Sequence, residues 1–99
     1  MMKYTTVIET PAAQKRVPEP LLREALGAAL RSLRSENGVT LRELAEQSRV
    51  SPGYLSELER GRKEVSSELL AAVCRALGTS VSEVLITAAS SMAATEVAV

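Results

Sequence analysis

TLRELAEQSRVSPGYLSELERGRKE, Thr40 to Glu64, decides the fold. Thr40 and Glu43 stand at the spacing of a capping box, in which each side chain accepts a hydrogen bond from the other's backbone amide. A helix therefore opens at Leu41, turns Leu44 and Ala45 inward, and stops near Ser48. Ser51-Pro52 starts another. The serine caps it, and the proline suits a first turn because its missing N–H has no helical acceptor anyway. Leu55 and Leu58 face inward at helical spacing, and Gly61 ends the run. With so short a turn between them, the second helix must cross the first steeply. Ala45 is the small residue at the crossing. The outer face of the second helix then carries Ser51, Gly53, Tyr54, Glu57 and Arg60, free to meet something concave.

The flanks read as three more helices. PEPLLREALGAALRSLRSENG places Leu22, Ala25, Leu26, Ala29, Leu30 and Leu33 in one stripe. Pro20 suits its first turn, and Asn37-Gly38 suits its end. Ser67 to Leu77 repeats the pattern with Leu69, Leu70, Val73 and Leu77 inward. Ser80 and Glu83 form a second capping box, from which a fifth helix starts near Val81. Residues 1–19 hold Pro11 and Pro18 and no periodicity, the signature of a flexible arm. The expected architecture is all-α, with five short helices: a folded unit over 20–80 and a C-terminal helix and tail over 81–99.

Composition narrows the function. In 99 residues there is one cysteine, Cys74, and no histidine, so neither an internal disulfide nor a Cys/His metal set is available. Cys74 falls on the apolar face of the fourth helix and reads as a small core residue. No Ser/His or Cys/His arrangement exists, and Glu57 and Glu59, two apart on a helix, point away from one another. No enzyme, metal or cofactor is expected. No apolar run has membrane-spanning length, and the start lacks a signal-peptide core, which fits the cytoplasm. Net charge is zero, but its distribution is uneven. Arg31, Arg34, Arg42, Arg49, Arg60, Arg62 and Lys63 make the middle cationic, whereas beyond Lys63 only Arg75 faces Glu64, Glu68, Glu83 and Glu96.

Ala45, Leu55, Leu58, the run YLSELERGRKE and the following SSELLAAVCRALG resemble the Cro/repressor-type (XRE) helix-turn-helix family, with its lambda-repressor-like fold, over about Leu22 to Leu85. Within that family, GYLSELERGRKEVSSELLAAVCRAL is similar to actinobacterial regulators of Clp protease genes. The resemblance implies a double-stranded DNA partner, with the third helix in the major groove. Base edges would fall to Ser51, Pro52, Gly53 and Glu57, the carboxylate accepting from a cytosine amino group. Phosphates would fall to Thr40, Arg42, Tyr54, Ser56, Arg62, Lys63 and Ser66. The bland alternatives are a solvated Glu57 and a Tyr54 that serves only packing. The resemblance further implies a partly buried ion pair between Arg34 and Glu59. Two departures stand out. Arg49 occupies a turn position that is often glycine, where a positive φ strains any other residue. The third helix also lacks the Gln, Asn or Arg pairs that often read bases, which leaves Glu57 as its strong reader and points, through the cytosine amino group, to a C/G-containing half-site.

The fifth helix is apolar on more than one face, and a contiguous exposed apolar patch is unfavourable. A homodimer through Val84, Leu85, Ala88 and Met92 would cover it and bind two half-sites of an inverted repeat. The bland alternative is a helix that ends near Ala89 and frays. The small apolar terminus, ATEVAV, resembles the degrons of Clp-type proteases, so Clp protease becomes a candidate partner, with the regulator as its substrate. The Clp-regulator resemblance also implies activation of protease and stress genes through contact with RNA polymerase. The rival is a protein-interaction module of the same fold, of the antitoxin or anti-regulator kind.

Overall fold

The computed structural model describes residues 19–97, with side chains as far as Ala94. The expected flexible arm and degron-like terminus lie outside the described residues, apart from Glu19, Ala94 and the backbone of Thr95, Glu96 and Val97. Five helices follow in order: α1 (Leu22–Glu36), α2 (Leu41–Ser48), α3 (Pro52–Glu59), α4 (Ser67–Leu77) and α5 (Val81–Val97). Among the described residues there is no strand.

The helix starts are built by side chains. Thr40 Oγ1 accepts from the Glu43 amide at 3.0 Å while Glu43 Oε1 accepts from the Thr40 amide at 2.9 Å. Ser80 and Glu83 repeat that reciprocal pair at 3.1 and 3.3 Å. Ser51 caps α3 through the Tyr54 amide, and Ser66 caps α4 through the Leu69 amide. At α1 the expectation needs correcting: Pro20 lies ahead of the helix, not in its first turn. Leu21 is extended and the Glu24 carboxylate accepts from its amide at 2.8 Å, so the helix begins only at Leu22.

One core joins all five helices. Leu30, Leu44, Leu55, Leu58, Val73 and Val84 are fully buried in it, with Ala45 at the α2–α3 crossing. Leu41 and Leu69 sit at its margin. Leu22, expected inward, is exposed together with Leu21. The reason is its position in the first turn, one step beyond the stripe that Ala25 and Leu26 begin.

α5 packs chiefly on α1 and touches α4. Val84 and Ala88 are completely buried against the chain's own core, which corrects their assignment to a dimer face. A side chain that fills its own core presents nothing to a second copy. Met92 also packs on the core in part. The outward side of α5 carries Leu85 and Ile86, 41% and 65% exposed. The expected division at 80/81 therefore runs through a single core.

Candidate nucleic-acid interface

α3 is seated by backbone contact with α1. Gly27 lies so close that a Cβ there would meet the carbonyl oxygens of Leu58 and Glu59 at 2.3 and 2.7 Å. Only a residue without a side chain allows that approach. Beside it, the Arg34 guanidinium grips Glu59 with two bonds: Nε to Oε2 at 2.7 Å and Nη2 to Oε1 at 3.0 Å. Nη1 donates to the Val39 carbonyl at 3.0 Å. The side chains are 18% and 5% exposed. The hydrogen bonds to Glu59 hold the Arg34 pKa above its ordinary value, despite the opposing effect of burial. Gly27 and this paired fork lock the last turn of α3 onto α1.

α2 and α3 meet across a turn whose pivot is Arg49, at φ 60° and ψ 44°. This is left-handed backbone that costs an L-residue about 1–2 kcal/mol. The Arg49 amide donates to Glu46 O, and the Val50 amide to Ala45 O at 2.9 Å, so the strained pivot satisfies carbonyls that α2 leaves open. Inside the crossing, the Ser48 hydroxyl donates to Leu44 O at 2.6 Å. Among the described residues no buried side-chain polar atom lacks a partner.

The outward edge of α3 begins with Ser51, Pro52 and Gly53, all exposed. A Cβ on Gly53 would meet nothing within 4 Å, and its φ is not positive. Neither internal packing nor conformation requires glycine there. Thr40, Ser51 and Ser66 each use hydroxyl lone pairs to cap a helix. Each keeps its own O–H to donate outward. The amides of Leu41 and Arg42, first in α2, have no helical acceptor, and Arg42 is exposed.

The loop after α3 is held at Glu64 from two sides. Tyr54 Oη donates to the Glu64 carbonyl at 2.6 Å, and Arg23 Nη1 pairs with the Glu64 carboxylate at 2.6 Å. This corrects Tyr54: its hydroxyl proton belongs to Glu64, so it does not reach for a phosphate but fixes the loop that carries Arg62 and Lys63. Both of those are exposed. Gly61, at φ 77°, turns the chain so that the Arg62 amide donates to Glu57 O at 3.0 Å. A Cβ there would stand 2.8 Å from Glu24 Cα, so glycine is required twice over. Glu57 is half-buried, and one of its oxygens, Oε2, lies 3.7 Å from both Arg60 Nη1 and Arg62 Nη1.

Ser56 faces a different neighbourhood. With Leu41, Arg31, Arg34, Glu59 and Arg60 it lines a pocket of about 170 Å³. Arg34 is committed to Glu59, whereas Arg31 and Arg60 are exposed at the rim. The sequence places Arg60 on the outer face of α3 and Arg31 in the cationic middle, and assigns neither of them a ligand. The signal was there: Arg31 and Arg34 stand three apart on α1, as Glu57 and Arg60 do on α3, so each pair shares a face. The pocket offers a hydroxyl and two exposed cations to an anion. Among the described residues no group of three or more His, Cys, Asp or Glu side chains is placed to hold a metal. No single described helix is long and apolar enough to cross a membrane.

Known transcriptional regulators resemble this chain in sequence and fold. The model of a helix-turn-helix domain family matches residues 25–85. The transcriptional regulator ClgR of Mycobacterium tuberculosis is 57% identical over 76 residues, 77% of this chain and 68% of that protein. The crystal structure of the clp gene regulator ClgR from Corynebacterium glutamicum superposes with a TM-score of 0.77 and 83% identity, over 78% of this chain and 82% of that one. The restriction-modification controller protein C.AhdI from Aeromonas hydrophila, 29% identical, shares the fold at a TM-score of 0.61 over 63% of this chain and 94% of that one. Matching half the chain or more by family, and this much of a regulator by identity, the chain belongs to the XRE-like helix-turn-helix family of DNA-binding transcriptional regulators and is not an enzyme.

Proposed function

We propose that the chain activates Clp protease and related stress genes by binding an inverted-repeat operator as a homodimer. The observation that carries this is its 83% identity to a clp gene regulator over 78% of this chain and 82% of that one. Ser51, Pro52, Gly53 and Glu57 form the edge offered to bases, with Glu57 accepting from a cytosine amino group. Thr40, Arg42, Ser56, Arg62, Lys63 and Ser66 hold phosphates, joined by Arg31 and Arg60 at the pocket rim and by the first amides of α2.

The second copy is proposed to cover the outward side of α5. Leu85 and Ile86 are two of the four large hydrophobic residues exposed among those described. Ile86 also edges a hollow of about 340 Å³ with Leu33, Thr79, Glu83 and Thr87. Activation requires contact with RNA polymerase. Clp protease is proposed as a further partner, with the regulator as its substrate, so that the protease removes its own activator.

The test is a titration of the protein against a duplex from a Clp protease promoter and a scrambled duplex, at several salt concentrations. An Arg62→Ala/Lys63→Ala variant runs beside it. Sequence-dependent binding is expected, with a log–log salt slope shallower by roughly two in the variant, at about 0.9 per lost phosphate contact. Equal and weak binding to both duplexes would remove the promoter target and favour a protein partner instead.

A further inference from the structure

Glu57 is the one acidic side chain on the outward edge of α3, and its surroundings are not those of a simple base reader. Arg60 and Arg62 approach the same carboxylate oxygen from two directions, each at 3.7 Å. The arrangement is built into the backbone. Gly61 reverses the chain, and the Arg62 amide donates to the Glu57 carbonyl, so the Arg62 backbone stays beside Glu57 while its exposed side chain can turn to another partner. At 3.7 Å neither contact is a hydrogen bond. The carboxylate attracts both cations yet keeps its lone pairs for another donor.

We propose that Glu57 enforces specificity as a shared counter-ion that DNA must replace. The proposal rests on α3 being the helix that meets base edges. On any duplex, phosphates compete with Glu57 for Arg60 and Arg62. When they win, the carboxylate is left at the groove edge in a field of negative charge. A cytosine amino group opposite it supplies a new partner, and both arginines go to the backbone. Where no such donor is present, the unpaired carboxylate is repelled and the arginines stay with it. Non-specific DNA is thus refused by Glu57 itself, a repulsive element of the kind specificity requires.

The consequence runs against intuition: removing a DNA-facing acid should strengthen the wrong binding more than the right one. A preferred duplex is first selected from a random-sequence library with the wild-type protein, and its scrambled version serves as the non-specific probe. For Glu57→Gln, which keeps shape and loses charge, affinity for the scrambled duplex is expected to rise about five- to tenfold, with a salt slope steeper by one to two, at about 0.9 per freed arginine. Adding Arg62→Ala should cost more on the scrambled duplex in the Glu57→Gln background than in the wild type. An unchanged scrambled-duplex affinity and slope, in a variant that melts as the wild type does, overturns the proposal. An equal rise on both duplexes also overturns it, since Glu57 would then repel DNA without discriminating; a fall on the preferred duplex with a rise on the scrambled one supports both the counter-ion and the base contact.

Discussion

Replacing Gly27 by alanine should destabilise the fold although alanine is the better helix former. In an ideal helix interior the change favours folding by about 1 kcal/mol. Here the new methyl would sit 2.3 Å from the Leu58 carbonyl oxygen and 2.7 Å from that of Glu59. Both atoms are backbone, so neither can swing aside. α1 and α3 must part by about 0.7 Å to reach even the tightest contact that real Cβ atoms show. Overpacking of this kind costs about 1–3 kcal/mol. The separation also stretches the fork from Arg34, two turns further along α1, to Glu59, whose complete loss would cost about 3–5 kcal/mol. Partial relaxation leaves a net loss of about 2–3 kcal/mol after the helix-propensity gain, or roughly 10–20 °C in melting temperature for a domain this small. Circular-dichroism melts and urea titrations measure it. Gly53→Ala is the matched control: its methyl meets nothing within 4 Å, so its melting point should stay level or rise slightly. A Gly27→Ala protein that melts at or above the wild type would refute the claim that α3 is seated backbone to backbone on α1.

The Arg34–Glu59 fork gives a second test: truncating either partner to alanine should cost about 3 kcal/mol because a charge is left buried alone, and truncating both should cost less than the sum. Additive losses in urea titrations would mean the two do not act as a pair. Arg49→Gly should raise stability by about 0.5–1 kcal/mol, the relief of left-handed strain exceeding glycine's extra unfolded-state entropy; a lower melting point would show that the arginine side chain contributes something its backbone angle does not reveal. Glu83 is held below the ordinary carboxylate range by the Thr79 hydroxyl and, next, the Ser80 amide. A folded-state pKa below the unfolded one adds stability that is present above the unfolded value and lost as pH falls through the folded value. The urea midpoint of the wild type should therefore fall more steeply than that of Glu83→Gln across the acid range, since glutamine accepts the same bonds at every pH; parallel curves would count against the cap.

The legible parts of the fold were those set by local rules. Capping boxes at Thr40–Glu43 and Ser80–Glu83 bind through atoms three residues apart, so spacing alone reveals them. The stripes of Leu30, Leu44, Leu55, Leu58 and Val73 follow helical period and occupy the core. The first turn of α1 broke the pattern because Leu21 and Leu22 are apolar without a partner within the described fold, and composition does not distinguish an apolar residue at the end of a stripe from one beyond it. α5 failed in a related way. Apolar residues lie all round it, so period could not choose which of Val84, Leu85, Ile86 and Ala88 turns inward. Only the position of α1 decides that.

The site was harder to read, for a reason visible in Tyr54. Its position in the sequence offers a hydroxyl on the outer face of a helix, and a hydroxyl on such a face suits a phosphate. Whether it is available depends on the carbonyl of Glu64, ten residues on, which the turn at Gly61 brings back beside it. Glu57 carries the same lesson in charge: its residue type says acceptor, while its place between Arg60 and Arg62 says that any base it accepts from must compete with two cations. Arg31 and Arg60 reverse the case: in sequence they carry charge and no assigned ligand, yet the fold gathers them with Ser56 around one hollow. In each instance the residue supplies a chemical capacity, and a non-local contact determines whether that capacity remains available. A core residue has one role, burial, which periodicity nearly assigns. A polar surface residue has several partners within reach, and the chain fold selects among them before any DNA arrives. The loop carrying Arg62 and Lys63 should therefore respond to changes that touch neither residue: Tyr54→Phe keeps the ring and frees the Glu64 carbonyl, and it should weaken DNA binding without altering which sequence is preferred.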